Sequence, residues 1–379
     1  NILEYQKSNR CFAQNQRGFE PISVEELEQL GAFDCKPGYL GIYFNCDIDT
    51  LYKINYSART LIRVLAPLFS FKCHSDKTLY KEVARFNWDR LFSPEKSFMV
   101  SASVSGSKLK HSQFAALKTK DAIADYFREK HKRRPSVDRE NPDIVLNLNL
   151  NNNQALVSLD LTGFPMYKRG YRIQTVPAPL TETLAAAIIK ISGWRGENPF
   201  VDPFCGSGTL LAEAVMSHCG IPSGYFRKKF GFFNMPEFNK SRWLRVKHEQ
   251  NQIKALPKGL IYGTDISKNA ITAARTNLSL FEDDKHVQIK RKDFRNLEGF
   301  ENSTIVSNLP YGKRIGNNTE IEELYKAFGD FLKQRCQGSK AYLLCGSTSL
   351  VKKVGLRTSR KIPLYNGPIE VRLIELELY

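Results

Sequence analysis

A chain of 379 residues with a formal net charge of +17 is long enough to bury the core of more than one domain and is suited to a polyanionic partner. Its eight cysteines form no Cys-x-x-Cys pair and its six histidines no His-x-x-x-His, so the spacing of a metal site is absent. No signal peptide and no apolar run of membrane length are visible, and cysteines in apolar settings such as Tyr342-Leu343-Leu344-Cys345 read as reduced core residues of a cytoplasmic protein.

Short mixed elements open the chain. Residues 24–30 read as a helix ended by Gly31, and 39–46 as a strand. Leu51, Ile54, Ala58, Leu61, Ile62 and Leu65 recur at helical spacing and predict an amphipathic helix over 47–65. A helix over 81–92, a strand over 97–103 and a lysine-rich helix over 107–128 follow. The basic run Lys130-His131-Lys132-Arg133-Arg134 leads to Pro135, and residues 144–150 and 155–161 read as a hairpin across Asn151-Asn152-Asn153. This order suits a small α+β RNA-binding module.

Residues 163–176 read as a linker. Beyond it strands and helices alternate over 199–202, 210–216, 259–265, 268–278, 287–290, 304–308, 321–334 and 340–345, which predicts a parallel sheet with covering helices. Residues 361–365 and 369–378 flank Asn366-Gly367 and predict an antiparallel hairpin at its edge. The segment Arg227-Lys228-Lys229-Phe230-Gly231-Phe232-Phe233 interleaves charge with aromatics. It suits either base stacking with phosphate contact or a buried aromatic anchor with a solvated basic edge.

Two stretches in the second half carry chemistry. Asp202-Pro203-Phe204-Cys205-Gly206-Ser207-Gly208-Thr209 joins a predicted strand to a predicted helix. Gly206 and Gly208 can take positive φ and let a ligand approach bare backbone, while the new helix points unpaired N–H groups at it. The turn lacks the Gly-Lys-Ser/Thr ending of a phosphate loop, which argues against a nucleoside triphosphate. About a hundred residues later, Ile305-Val306-Ser307-Asn308-Leu309-Pro310-Tyr311-Gly312 leaves a buried strand at the carboxyl edge of the sheet, where ligands bind in such folds. Asn308 offers a side-chain acceptor, Pro310 a rigid backbone and Tyr311 a flat face. Together they suit a planar base with an exocyclic amino group.

These two stretches, in this order, resemble the S-adenosylmethionine-dependent amino-methyltransferases. More narrowly, the chain resembles the THUMP-containing RNA guanine-N2 methyltransferases that act on 23S ribosomal RNA. The resemblance extends to Cys11-Phe12-Ala13, Arg17-Gly18-Phe19-Glu20, Val137-Asp138-Arg139, Arg169-Gly170-Tyr171-Arg172, Ala178-Pro179-Leu180, Glu182-Thr183-Leu184 and Tyr365-Asn366-Gly367-Pro368. It implies an α/β fold: a Rossmann-like methyltransferase domain over 162–379, preceded by a ferredoxin-like part over 1–49 and a THUMP RNA-binding domain over 50–161. It implies methyl transfer from S-adenosylmethionine to the exocyclic N2 of a guanosine in 23S ribosomal RNA, with S-adenosylhomocysteine as the spent cofactor and no metal. A transfer-RNA guanine-N2 enzyme built from the same modules is the alternative, and a non-catalytic RNA-binding assembly factor a more distant one.

Roles follow from the resemblance and from position. Asn308, Pro310 and Tyr311 are the expected catalytic residues. Thr181, Asp202, Phe204, Cys205, Gly206, Ser207, Gly208, Thr209, Asp265, Ile266, Asp293, Phe294 and Asn308 are expected at the cofactor. Asp265, at a strand end, would accept from the ribose hydroxyls or cap the next helix. Asp293 would accept from the adenine amine or fix a turn. Thr181 would approach the methionine moiety or cap its helix. No general base stands out.

Overall fold

The computed structural model describes residues 3–177, 179–311 and 318–379. The chain divides into two compact units, Asn1–Asn15 with Ser23–Met166 and Arg227–Lys247, and Gln16–Ile22 with Tyr167–Phe226 and His248–Tyr379.

In the first unit, β1 (Arg10–Asn15), β2 (Phe33–Gly38), β3 (Gly41–Asn45), β4 (Leu61–Lys72), β5 (Phe98–Ser105), β6 (Ile144–Asn151) and β7 (Gln154–Asp160) form a seven-stranded sheet in the order β2-β3-β1-β4-β7-β6-β5. All its pairs are antiparallel except β5 with β6. Strand β4 pairs with β1 near Leu61–Leu65 and with β7 from Leu65 to Lys72, so it joins the two halves of the sheet. The predicted hairpin is present as β6 and β7, and Asn152 and Asn153 turn it with φ of 48° and 59°. Asparagine tolerates this left-handed region because its short polar side chain bonds locally.

The helix predicted over 47–65 is shorter. It spans Ile48–Ser57, and Ala58 is already extended at φ −64° and ψ 138°. The amides of Arg59 and Thr60 donate to the Glu26 carboxylate, each at 2.9 Å. That contact turns the chain, and Leu61, Ile62 and Leu65 become strand residues of β4 whose spacing only imitates a helix. The helix predicted over 81–92 lies earlier, at Asp76–Ala84, because Ser75 caps it by accepting from the Thr78 N–H at 3.1 Å.

Two charge-rich segments are also resolved by their partners. Lys130 and His131 both close on Asp89, at 2.5 and 2.6 Å, and Arg133 closes on Glu95 at 2.9 Å. Exposed Lys132 and Arg134 are the members of the basic run for which no acidic partner is seen among the described residues. Phe230 and Phe232 are core residues at 2% and 0% exposure, and their rings stack at 5.2 Å and meet Trp243 at 5.5 and 5.1 Å. Arg227 donates to the carbonyls of Thr162 and Phe164, and Lys229 to that of Pro142. The anchor reading of 227–233 therefore replaces base stacking, and apolar burial explains why Arg227–Lys247 groups with the first unit rather than with its sequence neighbours.

In the second unit, β8 (Phe200–Asp202), β9 (Ile261–Asp265), β10 (Gln288–Arg291), β11 (Thr304–Asn308), β12 (Lys340–Cys345), β13 (Arg360–Asn366) and β14 (Ile369–Glu377) form a sheet in the order β10-β9-β8-β11-β12-β14-β13. All its pairs are parallel except those of β14, which runs antiparallel to both neighbours. The expected Rossmann-like sheet with an antiparallel edge hairpin is thus the observed one. Both faces are buried: Val306 and Leu344 join one apolar cluster, Ile305 and Leu343 the other. The chain fills β8, β9 and β10 in one direction and then returns to place β11 on the far side of β8. This reversal makes β8 and β11 the switch point, where side chains at the carboxyl ends of neighbouring strands diverge and leave a crevice. Among the described residues no helix is long and apolar enough to cross a membrane.

Candidate functional site

The glycine-rich turn leaves β8 at the switch point. Its backbone is held by the Cys205 N–H on the Thr264 carbonyl at 2.9 Å, the Gly208 N–H on the Cys205 carbonyl at 2.8 Å and the Gly206 N–H on Asp265 Oδ2 at 3.0 Å. Gly206 and Gly208 take φ of 54° and 80°, as the turn requires. Their surroundings differ. A Cβ at 208 would lie 3.1 Å from the Cβ of Ala274, so this glycine lets helix Thr209–Cys219 sit against helix Lys268–Leu278. A Cβ at 206 would meet only Val176 Cγ2, at 3.9 Å. Gly206 is therefore the bare position open to a ligand, and Gly208 is glycine for packing. No side chain caps the helix that begins at Thr209, which leaves its first amides for the crevice.

Three carboxylates line the carboxyl edge at or just past the ends of β8, β9 and β10. Asp265 is committed to the turn: besides Gly206, it accepts from the Ser267 N–H at 2.8 Å, and its remaining lone pairs are available to hydroxyl donors. The next helix is capped by Ser267 itself, which accepts from the Ala270 N–H at 3.3 Å. Asp293 opens a single helical turn and accepts from the Arg295 N–H at 2.9 Å. Phe294 beside it is 3% exposed and packs its ring 5.3 Å from Phe204 and 5.1 Å from Phe328. Ile266, by contrast, is 64% exposed next to Asp265.

Asp202 is buried, accepts from the Phe204 N–H at 3.1 Å and takes the hydroxyl proton of Ser307, so one hydrogen bond joins the two chemical motifs. Burial pushes its carboxyl up to about 7, against the hydrogen bonds of Ser307 and Phe204 and helped by the charge of Asp265. In the unfolded chain the group titrates near ~3.9. Between those values the folded protein keeps a proton that the unfolded chain has lost. This contribution therefore lowers stability as pH rises from roughly 4 to 7 and is constant above. Asp202→Asn removes it. Relative to wild type the variant should gain on the order of a few kcal/mol between pH 5 and pH 8 in urea unfolding. The same stability gap at both pH values would contradict a raised carboxyl.

Behind the turn, Arg172 makes a fourfold tie. It donates to Glu182 Oε1 at 2.8 Å, the Leu180 carbonyl at 2.9 Å, Thr209 Oγ1 at 3.0 Å and Ser207 Oγ at 3.3 Å. Buried Asn277 accepts from the amides of Ile173 and Gln174 at 2.8 and 2.9 Å and donates to the carbonyls of Gln174 and Ser207. The stretch read as a linker is thus lashed to the glycine-rich turn. Thr181 stands at the cap position of helix Glu182–Ser192, yet its side chain makes no capping bond, and its buried Oγ1 has no partner. The capping alternative for Thr181 fails, and among the described residues its buried hydroxyl is left unpaired. Ala178 lies outside the described residues.

Asn308 ends β11. Its Oδ1 is buried and, among the described residues, has no hydrogen-bond partner. Leu309 is 1% exposed and donates its N–H to the Leu344 carbonyl at 3.1 Å, which pins Asn308-Leu309-Pro310 to β12. Tyr311 is half-buried, and its hydroxyl accepts from Asn366 Nδ2 at 2.8 Å. Gly312 lies outside the described residues. A buried acceptor left unpaired costs about 1–3 kcal/mol, so this oxygen calls for a donor, and at the carboxyl edge of the switch point a bound base could supply one. Arg172, Asn277 and Asn366 were not assigned roles from sequence. Their partners lie up to 104 residues away, so no local pattern signals them.

Among the described residues no group of three or more His, Cys, Asp or Glu side chains is arranged to hold a metal ion. Residues 169–375 match the family model described as RMKL-like, methyltransferase domain; residues 73–160 match the THUMP domain, and residues 10–65 the RlmL ferredoxin-like domain. The chain is similar to a Synechocystis sp. protein, slr0064, whose name proposes an RNA methyltransferase, with 37% identity over 97% of this chain and 96% of that one. It is similar to the ribosomal RNA large subunit methyltransferase K/L of Syntrophotalea carbinolica, with 36% identity over 97% of this chain but only 53% of the relative, so it spans about half of such proteins. The solved structure of SMU.472, a proposed methyltransferase in complex with S-adenosylhomocysteine, superposes with a TM-score of 0.86 at 29% identity and covers 98% of both chains.

Proposed function

This chain belongs to the RMKL-like methyltransferase family with an N-terminal THUMP domain, and from that premise we propose that it transfers a methyl group from S-adenosylmethionine to the exocyclic N2 of a guanosine in 23S ribosomal RNA. The carrying observation is the buried, unpaired Oδ1 of Asn308 beside the glycine-rich turn. Among groups a base can offer, an exocyclic amine supplies the donor this acceptor lacks. The names of the K/L relatives support ribosomal RNA of the large subunit as the substrate.

The residues present fit the cofactor. Open Gly206 and the uncapped helix start at Thr209 would receive its methionine part together with Thr181, Asp202, Cys205 and Ser207. Asp265 with exposed Ile266, and Asp293 with Phe294 and Phe204, would hold the ribose and adenine. The cofactor supplies an electrophilic methyl on a sulfonium that departs as a neutral thioether. Guanine N2 is a weak nucleophile whose lone pair is delocalised into the ring. Asn308 Oδ1 accepts from the N2 amine, favours its tetrahedral form and aims the lone pair, and Pro310 keeps the neighbouring backbone rigid. Tyr311 stacks on the extruded base. The methyl joined to N2 would be the one released from the sulfonium, and the surplus proton would leave the alkylated nitrogen for water. In this division of labour residues 1–49 and 50–161 serve RNA capture and 162–379 the chemistry, with Arg227–Lys247 lending its aromatic rings to the first unit.

Incubation with S-adenosylmethionine and unmodified ribosomal RNA, followed by nuclease digestion and mass spectrometry, should yield N2-methylguanosine from the large-subunit RNA. A methyl group on adenine N6, or on transfer RNA alone, would overturn the assignment.

A further inference from the structure

Tyr311 is gripped at both ends by residues with no assigned role. At the ring's root, Gly346, the residue after β12, lies so close that any side chain there would overlap Tyr311 Cβ and Cγ. At its tip, Asn366 Nδ2 donates to the phenol oxygen at 2.8 Å. Asn366 is the last residue of β13, paired with Ile369 across the edge hairpin. The hairpin tip is itself tied down: the Gln16 side-chain amide donates to the Tyr365 carbonyl, and the Arg17 guanidinium lies 5.2 Å from the centre of the Tyr365 ring. A tyrosine whose hydroxyl needed only solvation would find water, whereas this one is held by an amide on a braced turn.

We infer that Asn366 is a positioning residue that locks the Tyr311 ring, through its hydroxyl, in the orientation that receives the target base. The inference rests on the base-stacking role proposed for Tyr311. An unclamped ring rotates about its side-chain torsions and must be ordered when RNA arrives, so the cost falls on productive RNA capture and not on the cofactor. Because the phenol accepts from Asn366, its own proton remains free, and a carboxylate in place of the amide could accept that proton and restore the link with the bond reversed.

The test uses the full chain, ribosomal RNA as substrate and saturating S-adenosylmethionine. Asn366→Ala and Tyr311→Phe should each lower kcat/KM for RNA by about 3- to 10-fold, the loss of one preorganising hydrogen bond. Calorimetric affinity for S-adenosylmethionine should be unchanged in both. The double variant should be no slower than the slower single, because both remove the same bond. Asn366→Asp should recover most of the lost kcat/KM. Losses that multiply in the double variant, or no recovery with aspartate, overturn the clamp and leave Asn366 a hairpin residue. Tyr311→Ala separates the two layers of the inference: wild-type turnover in that variant sinks the stacking role itself, whereas slow turnover there with full activity in Asn366→Ala sinks the clamp alone.

Discussion

Asn308→Ala should reduce the rate of methyl transfer by about two to three orders of magnitude while leaving the fold and cofactor affinity nearly intact. The side chain ends a strand whose backbone bonds do not depend on it: β11 pairs with β8 and β12 through main-chain groups, and Leu309 is anchored to Leu344. In the absence of a ligand its Oδ1 is a buried acceptor without a donor, so removing it relieves a cost in the free protein rather than adding one. The interaction it loses is made chiefly in the transition state, where the amine becomes tetrahedral and its N–H bonds become more acidic. A fall in kcat with unchanged KM for S-adenosylmethionine, measured in single-turnover assays on ribosomal RNA, is the expected signature. Wild-type turnover in the variant would remove Asn308 from the chemistry. Unfolding of the variant, seen as a large drop in Tm, would instead make it structural.

Gly206→Val should abolish measurable binding of S-adenosylmethionine in calorimetry, a loss of at least a hundredfold. Two effects act in the same direction. A branched side chain would enter space where, among the described residues, only Val176 Cγ2 comes within reach of a Cβ at 206, and valine is poorly suited to a φ of 54°. Gly206→Asn separates them, because asparagine tolerates the left-handed region yet still places a side chain in the crevice. It should keep a Tm near wild type and still bind the cofactor weakly. Wild-type affinity in both variants would show that the ligand lies elsewhere. The same substitution at Gly208 would be a poorer probe, since its Cβ would press on Ala274 and push the packed helices away from each other.

The second unit was legible in the sequence almost element by element. Helix Lys268–Leu278 and strands Thr304–Asn308 and Lys340–Cys345 have the predicted bounds, because each is an apolar run bracketed by its own turn signals. The first unit was less legible. Leu61, Ile62 and Leu65 sit at a spacing that serves a helix or a strand, and only the distant Glu26 carboxylate, gripping the amides of Arg59 and Thr60, ends the helix before them. Strand β1 carries no alternation strong enough to announce itself, and Lys240–Gln250 is a polar helix whose Trp243 packs on Tyr52 and Tyr56, far back in the chain, as well as on Phe230 and Phe232.

The site divides along the same line. The residues proposed to face a ligand, Asp202, Gly206, Thr181, Asp265 and Asn308, stand at strand ends, at a helix start or in the turn between strand and helix, and local sequence announces those places through glycine, proline and a change of hydrophobic period. The sequence by itself therefore determined the fold class and where the strand ends and the glycine-rich turn fall at the switch point. Only the tertiary structure decided which of two glycines is open, that Asp202 is buried enough to hold its proton near neutrality, and that Arg172, Asn277 and Asn366 hold the turn and the tyrosine in place. The physical reason is range. Backbone preference and hydrophobic period act over a few neighbouring residues and are written in order along the chain. Desolvation and side-chain hydrogen bonding act between groups that only folding brings together.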